Sequence, residues 1–123
     1  MPTRPRVILV DDHPGVAKAL GRLLSADCEV VATIGDGQEA AAAGARLQPV
    51  VMLVDLNLPT VSGLDVCRQV APHHPQVKVI VISAVADEAI ADEARAAGAS
   101  GFYPKSAGHE LIAAIKQIWT ELA

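Results

Sequence analysis

Asp11 and Asp12 stand side by side after one short aliphatic run, and Asp55 follows another. A carboxylate offers oxygen ligands to a hard divalent cation, and it can also attack an electrophilic centre as a nucleophile. Ser83 and Lys105 each end a further apolar stretch. A hydroxyl can donate to a phosphate oxygen, and an ammonium can bind phosphate as a mobile point charge. Taken singly, each residue has a plainer reading. An aspartate at a strand end commonly caps the next helix, and a lone lysine is usually solvated. Taken as the set Asp11, Asp12, Asp55, Ser83 and Lys105, the five point to metal-assisted phosphate chemistry, provided the fold brings them together.

The elements that must position them can be read from periodicity. Five short, largely apolar runs are Val7–Val10, Glu29–Ile34, Val50–Val54, Val77–Ile82 and Gly101–Tyr103. Segments of helical spacing separate and follow them, such as Leu20, Leu23 and Leu24 in the first and Leu111, Ile115, Ile118 and Leu122 in the last. Strands alternating with helices predict βαβ units and a mostly parallel sheet. Pro14 suits a first helical position. Asp36 with Glu39 reads as a capping box opening the second helix, Ser62 with Asp65 as a weaker one opening the third, and Gly98 as a helix stop. Five right-handed units can be wound in the order 2-1-3-4-5 with helices on both faces, although the pattern alone does not impose that order. In such a sheet the crevice lies at the carboxyl ends of strands 1 and 3, beside Asp11, Asp12 and Asp55. Three carboxylates gathered there without a cation would repel one another. Magnesium is the usual occupant of a site built from one or two carboxylates plus phosphate and water.

Composition narrows the alternatives. A chain of 123 residues has the size of one domain. Its residues are 51% hydrophobic but only 2% aromatic, so its core must be built from Val, Leu, Ile and Ala, as in a sheet buried on both faces. A net charge of −4 with no Lys/Arg cluster argues against direct nucleic-acid binding. Cys28 and Cys67 lie far apart with no CxxC spacing, which suggests buried free thiols rather than a zinc site or a disulfide. Val7–Val10 is too short for a signal-peptide core, and no run approaches a membrane span. A soluble cytoplasmic domain is the expectation.

Four motifs now fall in order: Asp11-Asp12; Asp55-Leu56-Asn57-Leu58-Pro59 with Gly63; Val81-Ile82-Ser83-Ala84; and Phe102-Tyr103-Pro104-Lys105. Together they resemble the receiver (CheY-like) domains of two-component response regulators over essentially the whole chain. Asp11-Asp12-His13-Pro14 and Lys105-Ser106 look most like the NarL/FixJ subgroup, whose receivers precede a LuxR-type helix-turn-helix domain. The resemblance implies an α/β fold: a single three-layer αβα domain over residues 1–123, flavodoxin-like, with a five-stranded parallel sheet of order 2-1-3-4-5. It also implies that Asp55 accepts a phosphoryl group from a phosphohistidine on a sensor histidine kinase. Asp11, Asp12, Asp55 and the backbone carbonyl of Asn57 would hold Mg2+, while Ser83 and Lys105 would bind the phosphoryl oxygens. Ser83 would then move toward the phosphate and Phe102 would pack inward behind it, altering the face formed by helix 4, strand 5 and helix 5. Such a domain catalyses its own phosphorylation and dephosphorylation but serves chiefly as a switch. Its further partners would be a C-terminal DNA-binding output domain outside this chain and, on phosphorylation, a second copy.

Some residues depart from the pattern or stay open. Many family members carry proline after the lysine in a cis peptide; here Ser106 stands there and Pro104 precedes the lysine, which suits an edge strand. Phe102 reads equally well as buried core. His13 reads as a helix-opening residue before Pro14 rather than a metal ligand, since a lone histidine lacks partners. Ile112 and Trp119 either finish the core or form a contact surface, and a stripe of ordinary width favours the core. Two other functions remain: an interaction module that works without phosphorylation, and a small phosphatase. The second lacks an evident general acid, because Asn57 replaces a carboxylate two residues past Asp55.

Overall fold

The low aromatic content has its counterpart in a sheet that is aliphatic on both faces. A computed structural model describes residues 3–122. The elements run β1 (Arg6–Val10), α1 (Pro14–Leu24), β2 (Glu29–Ile34), a 3-10 turn (Gly37–Glu39) and α2 (Ala40–Leu47), followed by β3 (Val51–Asp55) and α3 (Gly63–His73). β4 (Lys78–Ser83), α4 (Glu88–Ala96), β5 (Gly101–Pro104) and α5 (Gly108–Glu121) complete the chain. All pairings are parallel and the sheet order is β2-β1-β3-β4-β5, the order expected from the winding rule. β5, with its Pro104, lies at an edge, where a missing ladder donor is tolerated.

Strand alternation divides the core. Ile8, Val10, Met52, Val54, Val79 and Val81 face one side, packed on Ala40 and Ala43 of α2, Val66 and Val70 of α3, and Ala94 of α4. Val7, Leu9, Val51, Leu53, Ile80 and Ile82 face the other, packed on Leu20 and Leu24 of α1 and on Leu111 and Ile115 of α5. Burial of a Val, Leu or Ile side chain contributes about 1.5–3 kcal/mol, so the central strands are the most firmly held part of the molecule. Their rigidity passes to whatever their ends carry. The sheet leaves Ile112 packed on the second cluster, whereas Trp119 is half-buried and packs on neither.

Local signals decide where the helices begin and end. Ser62 forms a complete capping box with Asp65, the Ser62 hydroxyl accepting from the Asp65 N–H and the Asp65 carboxylate from the Ser62 N–H. The Asp36–Glu39 box expected at α2 does not form. Asp36 accepts from the Gln38 N–H at 2.9 Å, and the Glu39 N–H is taken by the Asp36 carbonyl at 3.1 Å. That i→i+3 bond makes a 3-10 turn, so α2 starts only at Ala40. At the end of α4, Ala99 N–H donates to Ala94 O and Gly98 N–H to Arg95 O, at 2.9 and 3.0 Å, which is a Schellman stop. It requires a positive φ at Gly98, observed at 106°.

All peptide bonds among the described residues are trans, and no described helix is long and apolar enough to cross a membrane. Cys28 and Cys67 are buried free thiols on opposite faces of the sheet. Burial pushes the Cys67 thiol up to about 12. Burial, helped by the Asp27 charge, pushes that of Cys28 to about 11.

Two consequences can be measured. A Cβ at residue 98 would lie 2.7 Å from Ala71 Cβ on a backbone that L residues avoid, so Gly98→Ala lowers stability by about 1–3 kcal/mol, read as a lower urea midpoint. The thiols ionise first in the unfolded chain, so stability falls as pH climbs from about 9 toward 11 and 12. In native protein at pH near 8 (~3–4 units below those values), Ellman's reagent should modify neither cysteine until denaturant is added.

Candidate functional site

Parallel strands end at one edge, and the ends of β1, β3, β4 and β5 there carry or precede a polar residue. Val10 pairs with Val54, so Asp11 emerges beside Asp55, the last residue of β3. Asp55 in turn pairs with Ile82, and Ser83 with Pro104, which brings the ends of β4 and β5 alongside. Ser83 is the last residue of β4, as the spacing predicts, and Asp55 is the last residue of β3 rather than the first after it. They therefore share the rigidity of the sheet.

Lys105 leaves β5 with its N–H bonded to the Ser83 carbonyl at 2.7 Å. Its ammonium donates to Asp55 Oδ2 at 3.2 Å and lies 3.0 Å from Asp11 Oδ2. The second contact is a short ion pair, so one ammonium bridges the two carboxylates. Burial draws the ammonium toward neutrality, but the Asp11 and Asp55 carboxylates outweigh it and hold the lysine pKa above its ordinary value.

The acids differ in exposure. The Asp11 side chain is fully covered, Asp55 is 3% exposed and Asp12 31%. Asp11 Oδ1 accepts from the His13 N–H at 2.9 Å and Asp55 Oδ1 from the Asn57 N–H at 3.2 Å. Asp11 Oδ2 and Asp12 Oδ1 are buried, and they are met by the Lys105 ammonium at 3.0 Å and by His13 Nδ1 at 3.2 Å. Three carboxylates gathered around one ammonium would be relieved by a further cation. One ligand atom each from Asp11, Asp12, Asp55 and His13 lies within 4.8 Å of the others, so the donor set fits a divalent cation.

The remaining expected residues are near but differently engaged. Ser83 is buried at the end of β4, its hydroxyl accepting from the Val85 N–H at 3.3 Å rather than bonding Asp55. Asn57 touches Asp55 through its N–H. Phe102 is half-buried, packs against the Ile8 and Val81 side of the core, and lines a shallow groove with Asp87, Ala91, Arg95 and Pro104. Gly63 admits the start of α3 to the site: a Cβ there would stand 2.5 Å from the Asp55 carbonyl oxygen.

His13 is the residue that sequence reasoning set aside. It does open α1, as expected, but makes no side-chain cap. Its Nδ1 lies 3.2–3.5 Å from oxygens of all three aspartates, so it does not lack partners. The available signal was its place between Asp12 and Pro14.

Comparison with known proteins identifies the family. Residues 7–116 match the family model described as the response regulator receiver domain. Response regulator GacA of Pseudomonas protegens is 31% identical over 118 residues, covering 93% of this chain and 55% of that protein. The DNA-binding transcriptional activator DevR/DosR of Mycobacterium tuberculosis is 38% identical over 117 residues, covering 92% and 54%. The chain thus spans about half the length of these curated relatives. Among solved structures, the signal receiver domain of NarL from Mycobacterium tuberculosis superposes with a TM-score of 0.87 at 31% identity, covering 94% of this chain and 96% of that one. With the family model spanning most of its length and relatives of this kind on either side, the chain belongs to the response-regulator receiver domains and stands with their NarL/FixJ, LuxR-type subgroup.

Proposed function

We propose that this domain is a phosphorylation switch in which Asp55 takes a phosphoryl group from a histidine kinase. The observation that carries this reading is Asp55 itself, buried at the strand edge with Lys105 on one oxygen and the Asn57 N–H on the other. One carboxylate oxygen of Asp55 attacks the phosphorus of a phosphohistidine. A P–O bond forms, the P–N bond breaks, and the electron pair leaves with the imidazole of the donor, giving an acyl phosphate.

Asp11, Asp12, Asp55 and the Asn57 carbonyl would hold Mg2+, which when bound neutralises charge on the transferring oxygens. Asp11 and Asp12 contribute oxygens that face the same pocket as Asp55. Lys105 already spans Asp11 and Asp55 and needs little movement to reach an oxygen of the new group. Ser83 leaves Val85 N–H to donate to another, and Phe102 closes on the space behind it. Val81 pairs with Phe102 and Ser83 with Pro104, so a shift at the hydroxyl acts on the strand that carries the ring. The altered face is that of α4, β5 and α5. It would control an output domain or partner, and the DNA-binding relative DevR/DosR favours a transcriptional one in a cytoplasmic setting. Self-association on phosphorylation and a sensor histidine kinase complete the expected partners.

Incubation with acetyl phosphate and Mg2+ should add the mass of one phosphoryl group to the wild type and nothing to Asp55→Ala. Equal behaviour of the two would favour an interaction module that works without phosphorylation. A ligand that binds only the folded state stabilises by about 2.7 kcal/mol at a hundredfold excess over its Kd. Saturating Mg2+ should accordingly raise the melting temperature of the wild type and leave Asp11→Ala unchanged in a thermal scan.

A further inference from the structure

Asp36 does not build the capping box expected of it, and its carboxylate instead takes a partner from across the fold. That partner sits on the loop from Leu56 to Ser62, which carries Asn57, the residue whose N–H holds Asp55 Oδ1 at 3.2 Å. Both ends of the loop are fixed. Leu56 N–H donates to the Ile82 carbonyl and Gly63 N–H to that of Leu56, each at 2.8 Å. Between them, residues 57–61 form no backbone–backbone hydrogen bond with the described residues, so side chains must set their course. The turn after β2 supplies them. The Thr60 hydroxyl donates to Asp36 Oδ1 at 2.7 Å, and the same oxygen accepts from the Gln38 N–H at 2.9 Å. Those bonds, that of Gln38 foremost, hold the Asp36 carboxyl below its ordinary pKa, so it stays a charged acceptor at neutral pH. Beside it Gly37 is buried under the loop. A Cβ there would stand 2.6 Å from Val61 Cγ2, 2.9 Å from Leu58 Cδ1 and 3.0 Å from Val66 Cγ2. Leu58 is the residue next to Asn57, so this seat, polar at Asp36 and apolar at Gly37, bears the loop close to its functional amide.

We propose that Asp36, Gly37 and Thr60 are positioning residues for the site: the turn after β2 clasps the Leu56–Ser62 loop and thereby fixes how Asn57 meets Asp55. The Asn57 N–H then stays on Asp55 Oδ1, and its carbonyl keeps the place from which it would serve a cation. The inference rests on the proposed function and extends the site to a turn that shares no hydrogen bond or ion pair with Asp11, Asp12 or Asp55 among the described residues. A loop held only at its ends would have backbone freedom at Asn57, and the clasp removes it. The Thr60–Asp36 bond is exposed, so its loss leaves no buried polar group unpaired and the core stays folded.

The test compares the wild-type chain with Thr60→Val, Asp36→Ala, their double variant, Thr60→Ser and Gly37→Ala. Gly98→Ala, which strains the opposite edge of the sheet before β5, serves as the control. Two quantities are read: NMR amide hydrogen exchange at Asn57 in the metal-free protein, and calorimetric titration with MgCl2. Thr60→Val and Asp36→Ala should each speed exchange at Asn57 and weaken Mg2+ binding by roughly three- to tenfold, the equivalent of one hydrogen bond. Their double variant should go no further than Asp36→Ala alone, because the bond between the two residues can be lost only once. Thr60→Ser keeps the hydroxyl and should behave as wild type. Gly37→Ala must push Leu58 and Val61 aside and should move both readouts at least as far as Thr60→Val. Gly98→Ala should lower the melting temperature yet leave both readouts within about twofold, as expected of a distant site. Unchanged Mg2+ binding in Thr60→Val and Asp36→Ala overturns the proposal, as does a double variant whose losses add. Equal shifts in Gly98→Ala also overturn it, marking a general loosening of the fold. A wild type that binds no Mg2+ overturns the cation-site reading instead, and exchange at Asn57 then decides the clasp by itself.

Discussion

Two covered carboxylates, those of Asp11 and Asp55, face each other across neighbouring strand ends with one ammonium between them. Removing a charge from water costs several kcal/mol, and a buried pair recovers this only with good geometry and further hydrogen bonds. Lys105, the Asn57 N–H and the His13 N–H offset part of the cost. Asp12 adds a third acid that Lys105 does not reach among the ion pairs formed. The pocket thus gathers three carboxylates around a single lysine ammonium. On the proposed function, that excess of negative charge would make it receptive to a cation and, with a cation in place, to a phosphate.

Such a site persists only on a support that cannot relax to separate the acids. The support is the sheet, whose strands β1, β3 and β4 are aliphatic and buried on both faces. Asp55 is a strand residue and Asp11 follows one directly, its N–H bonded to the Ile34 carbonyl of β2 at 2.9 Å. Repulsion between the acids therefore acts against the packing of the whole core. The close approach of α3, permitted by Gly63, further confines the backbone after Asp55.

The same construction leaves the response side freer. Ser83 is buried, but its hydroxyl is engaged only with its own loop, and Val85 beyond it is 60% exposed. Phe102 lies on an edge strand of four residues, half-buried beside a groove against α4. On the proposed function, acids fixed by the sheet beside a hydroxyl bonded only within its own loop and a ring at an edge groove would suit a switch.

Much of this was written in the chain. The order of elements, the helix start at Ser62 and stop at Gly98, the two-sided aliphatic strands and the acids at their ends are all local matters, fixed by periodicity, capping chemistry and the winding rule. The motif spacing named the family. What local pattern could not settle was which hydrogen-bond donor each side chain would meet. Asp36 opened a 3-10 turn because its carbonyl captured the Glu39 N–H and Thr60 took a bond to its carboxylate from across the fold. Trp119 sat on the margin of a helical stripe, and only the packing of α5 left it off the core. The His13 ring was read as a helix opener because sequence does not say where a side chain turns; the fold sets its Nδ1 within 3.5 Å of Asp55 as well as beside Asp11 and Asp12. Backbone periodicity is encoded residue by residue, whereas side-chain partnership depends on long-range register, and only tertiary structure supplies it.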